Sequence, residues 1–265
     1  MTTTETSVLF GLVELDLLRT YAGTRFPFPL RVPSFGRIEG ERRELLAAAG
    51  AALAERGLAS ADGPCGLAED LVTALREHRK SVDLVVVSGH GDAASVTGVV
   101  AMLTGHRAVV CSQSIGGTPG PVTVTEVPDD ALTGELAHWI PKAEAASAFP
   151  VTLPPGVVGD ALRLLENTAG TAAPKNQVRT LVRERGGDEA AVDALVTLLP
   201  AVTGRGQLGA VLRAASGAAD RPLELSWLDS PQGRVRVDSD DRGWVSVNPL
   251  RHSELVRTLR AAAAQ

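Results

Sequence analysis

Several scarcities narrow the chemistry open to this chain. Of 265 residues only two are cysteine, Cys65 and Cys111. They have no metal-ligand spacing and are too few to staple a fold, which suits a reducing compartment. Aromatic residues make up 3% of the chain, so stacking platforms for single-stranded nucleic acid are lacking. No basic block stands out against a net charge of −5. Arg37, Arg42 and Arg43 are interleaved with Glu39, Glu41 and Glu44, the pattern of a solvated helix face. Nucleic acid is not expected as a partner. The segment from Met1 to Ser7 is Thr-rich without a positive n-region, and no long apolar run follows it. Neither a signal peptide nor membrane insertion is therefore expected, and a cytoplasmic location is.

Motifs for chemistry are equally sparse. Ser88-Gly89-His90-Gly91-Asp92 gathers Ser, His and Asp in one short stretch, the starting point for reading the chain as a small hydrolase. Triad members come from separate converging elements, and a nucleophile elbow needs glycines two positions either side of Ser. Val86 stands two before Ser88. Alternate residues in an extended segment lie roughly 6.5–7 Å apart, too far for a hydrogen-bond relay. The stretch reads instead as a polar hairpin loop. His78, His90, His106, His138 and His252 are scattered, where a metal site needs three or four converging ligands. Gly116-Gly117-Thr118-Pro119-Gly120-Pro121 lacks the Lys-Ser/Thr of a phosphate loop, and its prolines remove backbone donors. No catalytic, cofactor-binding or metal residue is assigned, and the chain is expected not to be an enzyme.

What is present is a patterned body. Hydrophobic residues make up 44% of the chain, enough for a large core in one domain or two fused halves. Residues 8–21 predict a short strand running into a helix, and Phe26-Pro27-Phe28-Pro29-Leu30 an extended hydrophobic clasp. Helices are predicted over 41–56, with Leu45, Leu46, Ala49 and Leu53 inward and a stop at Gly57, and over 67–78. Strands follow at 82–88, 95–103 (broken by Gly98), 107–112 and 122–127, then a helix from Pro128 presenting Leu132, Leu136 and Ile140. After the proline-marked crossing at 150–155, helices are predicted over 157–168, 175–185 and 188–199. A second meander follows at 208–213, 223–228, 234–238 and 244–247.

The clearest signal lies in that second meander. Leu223, Leu225 and Trp227 alternate with Glu224 and Ser226, as a half-buried strand requires. In Asp229-Ser230-Pro231-Gln232-Gly233-Arg234, Pro231 suits the second position of a type I turn and Gly233 the positive-φ residue after it. Asp229 and Arg234 would form an exposed ion pair across the turn, worth about 0–1 kcal/mol. Asn248 and Pro249 read as the N-cap and first residue of a closing helix. Both meanders end in a helix, which suggests a duplicated scaffold. Such a body could act by docking a partner on its surface or by self-association through sheet edges.

These segments, taken in order, resemble the EspG family of ESX (type VII) secretion-associated proteins of actinobacteria. The resemblance rests on the Val-Glu-Leu-Asp-Leu-Leu run within 9–18, the 26–30 clasp, 41–58, Gly206-Gln207-Leu208-Gly209, the Asp229–Arg234 turn, 244–249 and the final helix. It implies one EspG-like domain over 1–265 with halves 1–150 and 151–265. It also implies an α/β (mixed α+β) fold: a central, mainly antiparallel twisted sheet with two helical bundles, the halves related by quasi-two-fold symmetry. It further implies a non-catalytic cytosolic chaperone that binds a secreted ESX substrate, a PE–PPE-like pair or another helical hairpin, and routes it to its secretion system. It implies that contacts come from the sheet, a loop after an early strand and the C-terminal helical bundle; carried over, the loop falls near 89–94 and the bundle on 157–199, making Gly89, His90, Gly91, Asp92, Ala93, Val178, Val192 and Leu195 candidate partner-binding residues. Trp227, Asp229, Pro231, Gly233, Arg234 and Trp244 become structural motif residues. The first meander lacks room for the long insertion of the mycobacterial pattern.

Overall fold

A computed structural model describes residues 7–89, 94–147, 150–157, 160, 174–187, 198, 201–214 and 216–264. The chain begins with β1 (Ser7–Phe10), α1 (Leu12–Ala22) and α2 (Glu39–Glu55), then the small pair β2 (Ala59–Ser60) and β3 (Gly63–Pro64), and α3 (Leu67–Glu77). The first meander is β4 (Lys80–Ser88), β5 (Ser95–Thr104), β6 (Arg107–Ser114) and β7 (Val122–Pro128), closed by α4 (Leu132–His138). Next come β8 (Val151–Leu153) and α5 (Pro174–Glu184). The second meander is β9 (Gly204–Arg213), β10 (Ala219–Ser230), β11 (Gly233–Ser239) and β12 (Val245–Pro249), closed by α6 (His252–Ala264).

Ten strands form one sheet in the order β1-β7-β6-β5-β4-β9-β10-β11-β12-β8. Every described ladder in it is antiparallel. The order is a palindrome in kind. A meander runs outward on each side, and an earlier short strand, β1 or β8, pairs with its outer edge. The halves meet where Lys80 pairs Leu212, Leu84 pairs Leu208 and Ser88 pairs Gly204. That pairing is centred on Leu84 and Leu208, and a quasi-two-fold axis passes between them. The mixed α+β architecture with related halves is as the sequence implies.

The two faces are covered differently. On one, Val82, Leu84, Val86, Leu208, Ala210, Leu225 and Trp227 pack beneath Leu132 and Leu136 of α4 and Leu255 and Leu259 of α6. These helices also pack on each other, so they close this face over the axis. On the other, α1 and α3 with Leu53 of α2 cover Val100, Met102, Val109, Cys111, Val122 and Val124 in the first half. In the second half, Val178 and Val182 of α5 pack with Val235 and Val247. No described helix is long and apolar enough to cross a membrane.

Four local expectations change in three dimensions. Gly98 does not break β5, which is continuous through it. A Cβ there would lie 2.8 Å from Cγ of Pro29, so the glycine makes room for the clasp. Asn248 and Pro249 do not open the last helix, because they pair with Arg236 and Val235 in β12. Pro249 lies beyond the residues of β12 that reach β8, where a missing N–H is tolerated. The strand from Trp244 starts at Val245, and Trp244 closes a turn through its N–H to Asp240 Oδ1 at 2.8 Å. Arg42 is not part of a merely solvated face: its guanidinium reaches Asp16 at 2.6 Å, and that carboxylate is fully buried in α1. Burial alone would raise the Asp16 pKa. The Arg42 hydrogen bond, the Phe35 amide and the charges of Arg19 and Arg42 outweigh it and leave the group below the ordinary 3.8.

Trp227 sets the packing of the second half. Its indole lies over Gly206, where a Cβ would come within 2.0 Å of Cζ2. Gly206→Ala therefore collides with a fully buried ring and should destabilise the fold by about 3 kcal/mol, the upper end for overpacking. Urea unfolding would show this as a lower midpoint at unchanged m-value. A separate pH effect comes from His78, which is buried with Nδ1 2.6 Å from the Ala74 carbonyl and Nε2 without a partner. Burial is the main cause that holds its pKa below the usual 6.5. A depressed histidine contributes stability above the unfolded value and loses it as pH falls from there toward the folded one. Thermal midpoints should drop as pH falls below about 6.5, and His78→Gln should flatten that slope.

Candidate functional site

On the face carrying α1, α3 and α5, the described residues leave a trough between the two helical covers. Its course follows from one cross-strand row that contributes a residue from each of the ten strands. The row reads Phe10, Val122, Gln113, Gly98, Val85, Gln207, Ser226, Val237, Val247 and Val151. Its ends lie beneath helices, and Gly98 and Gln113 lie beneath the clasp. Val85, Gln207, Ser226 and Val237 are half-buried and line a cavity of about 480 Å³ with Val87, Val202 and Leu228. The floor is thus mainly aliphatic, and Arg205 stands exposed within it.

One end of the floor is charged and fixed. Arg221 donates Nη1 to Asp83 Oδ2 at 2.9 Å, Nη2 to Asp83 Oδ1 at 2.8 Å and Nε to Glu224 Oε2 at 3.0 Å. Gln207 Nε2 donates to Glu224 Oε1 at 2.7 Å. The guanidinium lies across Gly209, where a Cβ would come within 2.0 Å of Nη2. The hydrogen bonds it donates to Asp83 are the main cause that raises the Arg221 pKa above the ordinary arginine value. A bidentate arginine pair of this kind is rigid as well as charged. It bounds the apolar floor with a polar edge that does not rearrange.

Of the predicted partner-binding residues, Gly89 and Val178 lie among those described. Ser88 ends β4 paired with Gly204 and Ser95. Gly89 follows with φ 92° and donates its N–H to the Thr203 carbonyl, so the loop departs from the trough's end. His90, Gly91, Asp92 and Ala93 lie outside the described residues, as do Val192 and Leu195. Val178 is fully buried against the sheet, so it supports α5 rather than facing solvent. Sequence reasoning assigned no floor residue to partner binding, although Gln207 and Ser226 lie in segments it singled out. The available signal was Val85-Val86-Val87, an apolar run in which both faces of β4 are aliphatic although one is only half-covered. Among the described residues, no cluster of three His, Cys, Asp or Glu is placed to hold a metal. Cys111 is fully buried, which pushes its thiol to about 12.

Trp227, Asp229 and Arg234 of the closing hairpin form a buried assembly on the opposite face, while Pro231 at the turn is exposed. Ser230 pairs with Gly233 across Pro231 and Gln232, Gly233 has φ 114°, and the turn is as its residues predict. The ion pair is not exposed. Arg234 is fully buried and donates Nε to Asp229 Oδ1 at 2.6 Å, and Nη2 to Asp229 Oδ2 at 2.9 Å and to the Pro141 carbonyl at 2.7 Å. Its guanidinium carbon lies 5.4 Å from the Trp227 ring centroid, within cation–π range. Residues 141–146 run over it as a strap: Arg234 N–H donates to Glu144 O, and Ala146 N–H to Arg234 O. Gly233 must be glycine for this approach too, since a Cβ would lie 2.6 Å from Ala146 N. His252 sits nearby with Nδ1 buried and without a partner. Burial first, then the charges of Arg234 and Lys142, lower its pKa below 6.5 against the opposing pull of Asp229.

Comparison with known proteins adds two findings. The sequence profile of the EspG family matches residues 12–261. Among the fourteen matching chains in solved structures is the Mycobacterium tuberculosis type VII secretion system chaperone EspG5, determined in complex with a PE25-PPE41 dimer. It superposes with a TM-score of 0.64 at 15% identity, over 98% of this chain and 96% of that one. At that identity the likeness is one of fold. No curated protein matches the chain.

Breaking the Asp229–Arg234 pair strands a guanidinium beneath the strap. Asp229→Asn should therefore cost about 3–5 kcal/mol, the range for one-sided loss of a buried pair. Chemical denaturation would show it, and a change below about 1 kcal/mol would return the pair to the surface class.

Proposed function

The chain belongs to the EspG family, and we propose that it is a non-catalytic cytosolic chaperone that holds a type VII secretion substrate in the open trough over β4, β9 and β10. The single observation that carries this reading is the half-buried aliphatic floor of Val85, Val87, Leu228 and Val237, which no helix among the described residues covers. A contiguous apolar surface of that kind marks a partner site. The tip of a helical hairpin fits it, because such a tip exposes apolar side chains that water would drive to aggregate. That EspG5 has been solved with a PE25-PPE41 dimer supports a PE–PPE-like pair as the client. The chain is read as one EspG-like domain, 1–265, with halves 1–150 and 151–265. On this reading His90, Gly91, Asp92, Ala93, Val192 and Leu195 remain proposed partner-binding residues. Recognition by docking uses none of Ser88, His90 or Asp92 as a reacting group.

The test is co-expression with PE–PPE-like pairs from the same genome and size-exclusion of the products. The wild-type chain should co-elute with one pair as a stable complex burying more than about 1,000 Å². Val85→Asp with Leu228→Asp places two charges on the floor at half-exposed positions and should weaken binding by about a hundredfold or more, with the circular dichroism spectrum unchanged. A wild-type chain that shifts no such pair removes the reading.

A further inference from the structure

Three arginines gather beside the clasp, and two of them have no ion-pair partner among the described residues. Arg19, Arg25 and Arg31 line a cleft of about 450 Å³ together with Phe26, Leu30 and Pro119. Arg19 is tied to Asp16 at 2.7 Å, but the same carboxylate also holds Arg42 at 2.6 Å, so one negative charge serves two guanidiniums. Arg25 and Arg31 are exposed and have no side-chain hydrogen bond or ion pair among the described residues.

Arg31 is nevertheless held in place. Gln113, only 2% exposed, accepts the Arg31 N–H at 2.7 Å and donates to its carbonyl at 3.0 Å and to the Gly120 carbonyl at 2.8 Å. A buried glutamine thus fixes the main chain of a residue whose charged end is unsatisfied. Pro29, two residues earlier, rests on Gly98, and Gly98 is the cross-strand partner of Val85 on the trough floor. The clasp is therefore a wall of the trough, and its cleft lies beyond that wall.

We propose that this cleft extends the client site and reads acidity. A client seated on the floor lays an acidic stretch with an adjacent apolar side chain across the clasp, its carboxylates against Arg19, Arg25 and Arg31 and its apolar group against Phe26 and Leu30. This rests on the client-binding reading of the trough. Charge complementarity selects the occupant. A chain of net charge −5 repels acidic partners at long range, so the exposed, unpaired guanidiniums of Arg25 and Arg31, beside Arg19 with its shared counter-charge, both steer such a segment and fix its orientation.

The experiment measures affinity for the co-eluting PE–PPE-like pair at about 50 and 300 mM salt, which brackets strong and weak screening. Arg25→Glu with Arg31→Glu should weaken binding by about tenfold or more at low salt. Arg25→Gln with Arg31→Gln should weaken it less, and the gap between wild type and both variants should narrow at high salt. Both side chains are exposed, so the fold is expected to persist and circular dichroism checks it. Unchanged affinity in the charge-reversed variant, while Val85→Asp with Leu228→Asp abolishes binding, overturns the arginine cleft and leaves the trough standing. Unchanged affinity in the floor variant removes the trough reading, and this inference with it. If the arginines instead govern capture by phosphatidylserine vesicles with client affinity intact, they face a membrane and the proposal is overturned.

Discussion

Everything in this molecule is referred to the ladder between β4 and β9. It is the one place where the two halves of the sheet touch, and its pairing from Lys80–Leu212 to Ser88–Gly204 fixes the position of every other strand. A slip of one residue there would turn Leu84 and Leu208 away from α4 and α6 and bring Val85 and Gln207 under them. The closed face would lose its core and the open face its floor in the same step. Register at this ladder is therefore a functional constraint as much as a structural one. The aliphatic residues on both sides of β4 show that two different environments depend on it.

The two faces divide the work. On the closed face, α4 and α6 meet over the quasi-two-fold axis, and the strap of 141–146 carries the end of the first half onto the second half's sheet. Its anchor is Arg234, whose charge is met by Asp229, a carbonyl of the strap and the Trp227 ring. On the open face the helices stand apart, and the clasp, the Asp83–Arg221–Glu224 network and the exit of β4 at Gly89 frame the gap. A closely packed back supports a front whose polar groups are arranged around an apolar strip.

Much of the fold was legible where local chemistry and tertiary structure agree. The Pro231–Gly233 turn, the inward alternation of Leu225 and Trp227, and the Gly57 stop after α2 each depend on one or two residues and a period. Legibility failed where a long-range contact overrode a local signal. Asn248 and Pro249 carry a helix-start signature but pair in β12, since the sheet offers Asn248 and Leu250 partners that a cap would not. Gly98 looks like a strand breaker until Pro29 lands on it from 69 positions earlier in the chain. The Asp229–Arg234 pair looks exposed because the strap that buries it is remote in sequence. The candidate site was the least legible part. A floor assembled from several strands has no sequence spacing of its own and shows only as half-coverage on a finished sheet.

The palindromic strand order carries a last consequence. A homodimer built about the same axis would present identical walls on both sides of its groove, and a guest could enter in either of two equivalent poses. Joining the halves in one chain lifts that degeneracy. Here one wall is the proline clasp with its arginines, and the other belongs to a half that carries no counterpart of that clasp among the described residues. A symmetric frame has become a slot with handedness, able to hold an asymmetric guest in a single orientation.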